Sequence, residues 1–461
     1  MRAKGRRLIL CFVILALAGL GVAVWRARTV RRETVSAEPD AATTPLPAAE
    51  RRTLPPLPQR TLSPRLAAAR ERAMRAASEM RGLAWTGAVG MTELSGWEYG
   101  TRTRELADVL GTEDLKGMSK LAVAGGLLPE GTDLASLAVT FTAATAGATY
   151  SPLDKQVLFV AEDSAKGARP DNSLLTHEFV HALQDQHFDL LKMLDARPYN
   201  FDRTEAMFAL VEGDAMNVQR RLEAGSASVW ARRTVEEIAR QEDERFGLYR
   251  RGVGALFPPL LTETFIFRYR DGARFVEAVR RSRPGASVDE LFRRPPASSE
   301  QVLHPEKYLA GETPREAEVN AEGFSARGWR AAASTPLGEV GVRGLLLAGV
   351  SAEEARRASA GWGGDRAYVF EREGRTPLFV WKTVWDGRED AREFFRAYNA
   401  LKAGRAARVD DAAAGMDAGG ESQAVWREGA FVTLVRLEGE GVVVVRGVET
   451  DVRETFEAAL R

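Results

Sequence analysis

His177-Glu178-Phe179-Val180-His181 is the stretch on which the fold of this chain turns. Residues four apart on an α-helix lie roughly 40° apart around its axis, so the two histidines share one face. Two imidazoles one turn apart suit one tetrahedral Zn²⁺. Glu178, next to the first, stands beside such an ion rather than on it. That is the place for a general base acting on a zinc-activated water. Histidine is otherwise scarce: the 461 residues hold four, the other two being His187 and His304. Pro170 followed by Asp171, Asn172 and Ser173 signals a helix start, and Leu174, Leu175, Phe179, Val180 and Leu183 supply apolar faces for burial. A buried helix with hydrogen-bonded histidines is the plain alternative, and it leaves Glu178 without a role.

A catalytic zinc takes three protein ligands and keeps one position open, and a carboxylate from a second helix is a common third. Residues 201–222 read as that helix, with Glu212 as the third ligand. Gly213 beside it lets the helix approach the metal closely; a glycine inside a helix otherwise costs about 1 kcal/mol against alanine. Glu205 lies on the same face and is the nearest rival, whereas Asp214 points away and reads as a supporting or structural group. His187 is a second rival, at the spacing of the longer pattern H-E-x-x-H-x-x-G-x-x-H. That pattern needs a glycine to bend the chain, and here the position holds Gln184. A continuous helix turns His187 away from the ligand face. Gln184 stays near it, placed to orient a ligand or a bound water, and Asp185 is a candidate supporting carboxylate.

Lys+Arg and Asp+Glu both total 64, so no net charge directs the chain to nucleic acid. Arg232-Arg233, Arg250-Arg251 and Arg280-Arg281 read as solvated faces with acids interspersed. Cys11, the only cysteine, rules out an intrachain disulfide and a thiolate-rich zinc site.

Arg2, Lys4, Arg6 and Arg7 precede an apolar run from Leu8 to Trp25, and Arg26, Arg28, Arg31 and Arg32 come after it. As a helix this run reaches about 27 Å, close to the thickness of a bilayer core. Residues 1–35 read as an uncleaved single-pass membrane anchor; a signal peptide cut near Ala16-Leu17-Ala18 is the rival. A lone N-terminal anchor serves to export the rest of the chain, so the body is expected at the cell membrane, outside the cytoplasm. Residues 36–64, rich in Ala, Pro and Thr, read as a tether.

The body divides into 65–331 and 332–461, at a composition break near Ala332. The first unit reads as helices at 66–80, 102–110, 112–124 and 134–146, then a strand at 155–161 ahead of the histidine helix. That strand is either a candidate edge for pairing with an extended peptide or an ordinary core strand. Further helices lie at 235–245, 260–269, 273–282 and 288–292. Trp230, Phe246, Tyr249, Phe265, Phe267 and Tyr269 are assigned to core packing. The second unit alternates helices at 337–347, 352–360, 389–401 and 451–460 with strands at 366–370, 377–384, 424–426, 431–437 and 441–448. The expected fold class is α+β.

The chain resembles the gluzincins, the thermolysin-like clan of zinc peptidases with a downstream glutamate. More narrowly, it is similar to a poorly characterised family of bacterial, often membrane-anchored zinc metallopeptidases. The resemblance rests on Thr176–Phe188 around the histidine pair, Ala209–Ala215 around Glu212, Ser299–Tyr308, and Gly361-Trp-Gly-Gly-Asp-Arg366, and covers roughly residues 134–390. It implies a zincin-like catalytic domain with a smaller C-terminal α+β domain, and Zn²⁺ held by His177, His181 and Glu212 with Glu178 as base. A peptidase also needs a donor to the oxyanion of its tetrahedral intermediate. His304 and Tyr308 are the candidates, since in thermolysin-like enzymes a histidine and a tyrosine share that task; Tyr150 is a third. The expectation is a membrane-anchored, zinc-dependent endopeptidase acting on protein or peptide substrates. The alternative is a non-catalytic metal- or substrate-binding protein of the cell envelope.

Overall fold

The computed structural model describes residues 54–460, apart from 111, 146, 162–170, 195–198, 226–228, 231, 283–286 and 409–421. The anchor expected at 1–35 and most of the tether lie outside the described residues. Among those described, no helix is long and apolar enough to cross a membrane. The fold is α+β with two sheets.

Helix α1 (Pro64–Arg81) starts where the Ser63 hydroxyl accepts from Leu66 N–H, and ends at Gly82 in the left-handed region (φ 77°). Its buried stripe of Leu66, Ala69, Ala73 and Ala77 recurs at helical spacing. Strands β1 (Gly90–Leu94), β2 (Ala148–Ser151) and β3 (Gln156–Val160) form a three-stranded sheet in the order β1-β3-β2. Strand β3 is therefore central, and the edge facing the next helix is β2. Between β1 and β2 lies α2 (Thr112–Ala124).

Helix α3 (Asn172–Phe188) begins where the Asp171 carboxylate accepts from Ser173 N–H. Every residue from Leu175 to Asp185 is buried. The reason is that α3 packs against α1, against β2 and against α4 (Phe201–Glu223) at once. Leu175, Phe179 and Val180 share one apolar cluster with Ala73, Val157, Ala215 and others. A helical run from Pro259 to Ser282 then lies across α4. Its middle, Phe267–Asp271, is a π-helical turn, and α5 (Gly272–Ser282) completes it. At the crossing, Gly213 of α4 meets Gly272 of α5: a Cβ on Gly213 would collide with the Gly272 carbonyl, and one on Gly272 with that of Ala209. Gly213 thus brings α4 against a neighbouring helix, so the close approach expected of it is made to Gly272 and not to a metal.

The second sheet has seven antiparallel strands in the order β4-β5-β6-β10-β9-β8-β7. They are β4 (Arg330–Thr335), β5 (Trp362–Glu371), β6 (Leu378–Trp385), β7 (Ala407–Arg408), β8 (Gln423–Glu428), β9 (Phe431–Glu438) and β10 (Gly441–Val448). Helices α6 (Gly338–Leu346), α7 (Arg388–Ala403) and α8 (Glu449–Leu460) accompany it. Strand β10 shows why its sequence is a continuous apolar run: Val442 and Val444 join the cluster with Phe394 and Tyr398, while Val443 and Val445 join the opposite one with Val452 and Phe456. The first cluster also takes in Met118, Leu121 and Phe201. One core therefore crosses the boundary suggested at residues 331/332.

Candidate metal centre

Helices α3 and α4 cross so that His177, His181 and Glu212 point at one another. His177 Nε2 and His181 Nε2 are 3.0 Å apart, and Glu212 Oε2 lies 3.1 and 3.2 Å from them. A tetrahedral ion with bonds of about 2.0 to 2.1 Å separates its ligand atoms by about 3.3 Å, so this near-equilateral triangle has the size a zinc ion requires. His177, Glu178 and His181 are buried, and the Glu212 side chain is 17 % exposed.

The proton on His181 can be placed. Gln184 Nε2 donates to Val211 O (3.0 Å) and to Asp214 Oδ2 (2.9 Å), both of them acceptors. Its Oε1 is thereby turned to His181 Nδ1 at 2.8 Å, and that nitrogen must donate. In neutral His181 the Nε2 lone pair then faces the cluster. Asp214 is fixed in turn by Arg81 at 2.6 Å. Arg81, Asp214 and Gln184 thus hold the ligand orientation from behind, the role spacing suggested for Gln184. His177 has no such partner. Its Nδ1 is buried without a hydrogen bond, and its ring lies 6.1 Å from that of Tyr269 at an angle of 22°.

Tyr269 is the residue that sequence reading missed. It sits in the π-turn, packs with Phe265, and donates its hydroxyl proton to Glu212 Oε1 at 3.0 Å. That leaves Oε2 for the triangle. Nothing in its spacing separates it from the neighbouring core aromatics; the π-turn re-aims it, and π-turns recur at functional sites.

Glu178 accepts from the backbone N–H of Tyr150 on edge strand β2, at 2.7 Å. The expected peptide-pairing edge at 155–161 is corrected here, because β3 has neighbours on both sides. The Tyr150 hydroxyl turns away, donating to Asp185 Oδ2 (2.6 Å), which also pairs with Lys155.

Electrostatics mark the same place. Burial pushes the Glu178 carboxyl upward, against the pull of both imidazoles. Burial also opposes a charged His181, yet the Glu212 carboxylate outweighs it and pushes that imidazole up to about 9. Glu212 itself is held below the ordinary carboxylate range, its burial outweighed by His181 and His177. The three side chains together demand positive charge at their centre, and the donor set of two imidazoles and one carboxylate fits zinc.

The rivals have other partners. Glu205 is locked to Arg268 by two hydrogen bonds of 2.6 Å. Helix α3 runs unbroken to Phe188, and His187 Nε2 lies 2.8 Å from Ala84 O. The oxyanion candidates also have partners of their own. His304 Nε2 lies 3.0 Å from Glu339, and Tyr308 donates to Arg294 O and packs on Phe275. Both belong to the packing of the short helices Ser299–Leu303 and Pro305–Ala310, because His304 caps the first and opens the second. A second acidic grouping, Glu300, Glu312 and Asp386, already encloses the Lys307 ammonium at 2.7, 2.9 and 2.6 Å.

A family described as a domain of unknown function (DUF8575) matches residues 326–456. That span holds the seven-stranded sheet and none of the residues of the triangle. No curated protein and no solved structure matches the chain.

Proposed function

We propose that the protein is a zinc-dependent endopeptidase of gluzincin type, on a zincin-like domain tethered to the cell membrane by the apolar segment near its N-terminus. The reading is carried by one observation: Nε2 of His177, Nε2 of His181 and Oε2 of Glu212 converge at 3.0–3.2 Å with the His181 proton turned outward. His177, His181 and Glu212 would hold the ion. Bound there, zinc supplies Lewis-acid polarisation of a carbonyl and brings a water's pKa toward neutrality.

The chain's own groups supply the rest. Glu178 takes a proton from the attacking water and delivers it to the leaving amine, and the Tyr150 N–H aims its carboxylate. Tyr269 holds one oxygen of Glu212 so that the other stays directed at the ion. Gln184 keeps His181 in the tautomer that can bind metal.

The test is zinc content and cleavage of a peptide library by the full-length chain, beside Glu178→Gln. Both proteins are expected to carry one zinc, with cleavage by the variant lower by about 10²- to 10⁴-fold. Equal cleavage by both overturns the mechanism. Zinc without cleavage in either supports the non-catalytic metal-binding alternative instead.

A further inference from the structure

Away from the metal centre, the turn after α2 and the outer part of the second sheet enclose a groove of 730 Å³. Its walls include Leu127, Leu128, Pro129, Val369, Pro377 and Phe431. Among them lies Arg446 of β10, 8 % exposed. Among the described residues, the other buried arginines each hold a carboxylate: Arg81 holds Asp214, Arg102 holds Asp154, Arg220 holds Glu242 and Arg343 holds Glu263. Arg446 is the exception. Its Nη1 donates to Ala124 O (2.7 Å), its guanidinium lies 4.3 Å from the centre of the Phe431 ring, and its Nε is buried with no hydrogen bond.

The acids around it are engaged or remote. Glu428 is held by Lys402 (3.4 Å), and Glu371 by Lys120 (2.8 Å). Glu130 is exposed and attracts Arg446 only at longer range. Gly126 (φ +71°) passes over the guanidinium, and a side chain there would press on Nε at 3.1 Å.

We infer that this groove binds an apolar monocarboxylate, its carboxylate on Arg446 and its hydrocarbon along the apolar walls. A buried guanidinium with no carboxylate bonded to it is costly: Glu428 attracts it only through space, and with Nη1 on Ala124 O and Nε under Gly126, Nη2 is the donor left for a ligand carboxylate. Phe431 and the Ala124 carbonyl fix the guanidinium in advance, which lowers the entropy lost on binding. The volume falls in the range of small-molecule sites, about 300 to 1,000 Å³. Lys120, Arg405 and Arg446 face Glu130, Glu371 and Glu428 around the groove, a balance that disfavours polyanions over a single negative charge. The site is separate from the triangle and stands whatever chemistry the triangle performs.

The experiment is arginine-selective dicarbonyl labelling of the full-length chain, with modification of Arg446 read by mass spectrometry in the presence of octanoate, 1-octanol, acetate or inorganic phosphate. Octanoate is expected to protect Arg446 in a saturable way while the other three do not. In parallel, octanoate binding by Arg446→Gln is expected to be weaker by roughly tenfold or more, as for loss of a charged hydrogen bond. Protection by octanol equal to that by octanoate overturns the proposal, leaving a merely apolar groove. Protection by phosphate, or by nothing, overturns it as well. The labelling arm needs no variant, so it decides the matter even if Arg446→Gln fails to fold.

Discussion

Two acids, Asp365 and Glu212, show what separates a finished polar site from an open one. Asp365, at the start of β5, accepts from the backbone N–H groups of Leu337 and Gly338 and from the indole N–H groups of Trp362 and Trp381. Burial pushes its carboxyl upward, but four donors oppose that, and together they tie α6 to two strands. The glycines before it serve the same packing, since a Cβ on Gly364 would collide with the Arg315 backbone. The stretch 361–366 is therefore structural. Glu212 is half-buried and has one donor, Tyr269, while its other oxygen faces two imidazole nitrogens. Asp365 is saturated with protons from the fold, whereas the triangle gathers two imidazole nitrogens and one carboxylate oxygen around a single point. The first arrangement makes structure; the second is the arrangement proposed to hold a metal.

That contrast can be broken by substitution. Asp365→Ala leaves four donors without an acceptor and is expected to cost about 3 kcal/mol or more in urea unfolding, with His177, His181 and Glu212 themselves untouched. Glu212→Ala should reverse the pattern. Chelator competition is expected to show zinc affinity down by more than about 100-fold, with a smaller loss of metal-free stability than in Asp365→Ala. A Glu212→Ala protein that unfolds like Asp365→Ala and still binds zinc would erase the distinction.

Gln184→Leu sharpens it. The variant frees the His181 tautomer without touching a ligand atom, and zinc affinity is expected to fall by about 10- to 100-fold with the ion still bound. Gly213→Ala forces α4 from α5 and should cost about 1 to 3 kcal/mol of stability. The smallest effect concerns Asp202, a buried acid between the two extremes. Burial, only partly offset by its hydrogen bond from Ser299 N–H (2.9 Å), pushes it up to about 7. Its pKa is raised on folding, so its contribution to stability is full below about 4 and is lost as pH rises through about 7. Asp202→Asn is expected to flatten that decline in unfolding measured between pH 4 and 8.

Much of the site is legible in sequence because helical phase is rigid. His177, His181 and Gln184 fall on one face by arithmetic, and Gln184 in place of a glycine keeps α3 straight, which sends His187 to Ala84. Glu212 is found from its neighbourhood, although Gly213 pointed there for the wrong reason: it serves the crossing with Gly272. Tyr269 is not legible, because a π-turn shifts phase by one residue and no residue type announces it. Nor is β4, whose alanine-rich Arg330–Thr335 lacks strand-forming side chains and is held by pairing with β5. The shared core of Met118, Leu121 and Trp381 is likewise tertiary, invisible to a composition break.

The claim that α3 and α4 together form one zinc centre is tested most directly by zinc K-edge absorption on the zinc-loaded full-length protein. The account predicts one ion with two imidazoles at about 2.0 to 2.1 Å and a protein carboxylate oxygen, the oxygen lost in Glu212→Ala. Three imidazoles, a first shell unchanged by Glu212→Ala, or no stoichiometric zinc would contradict it.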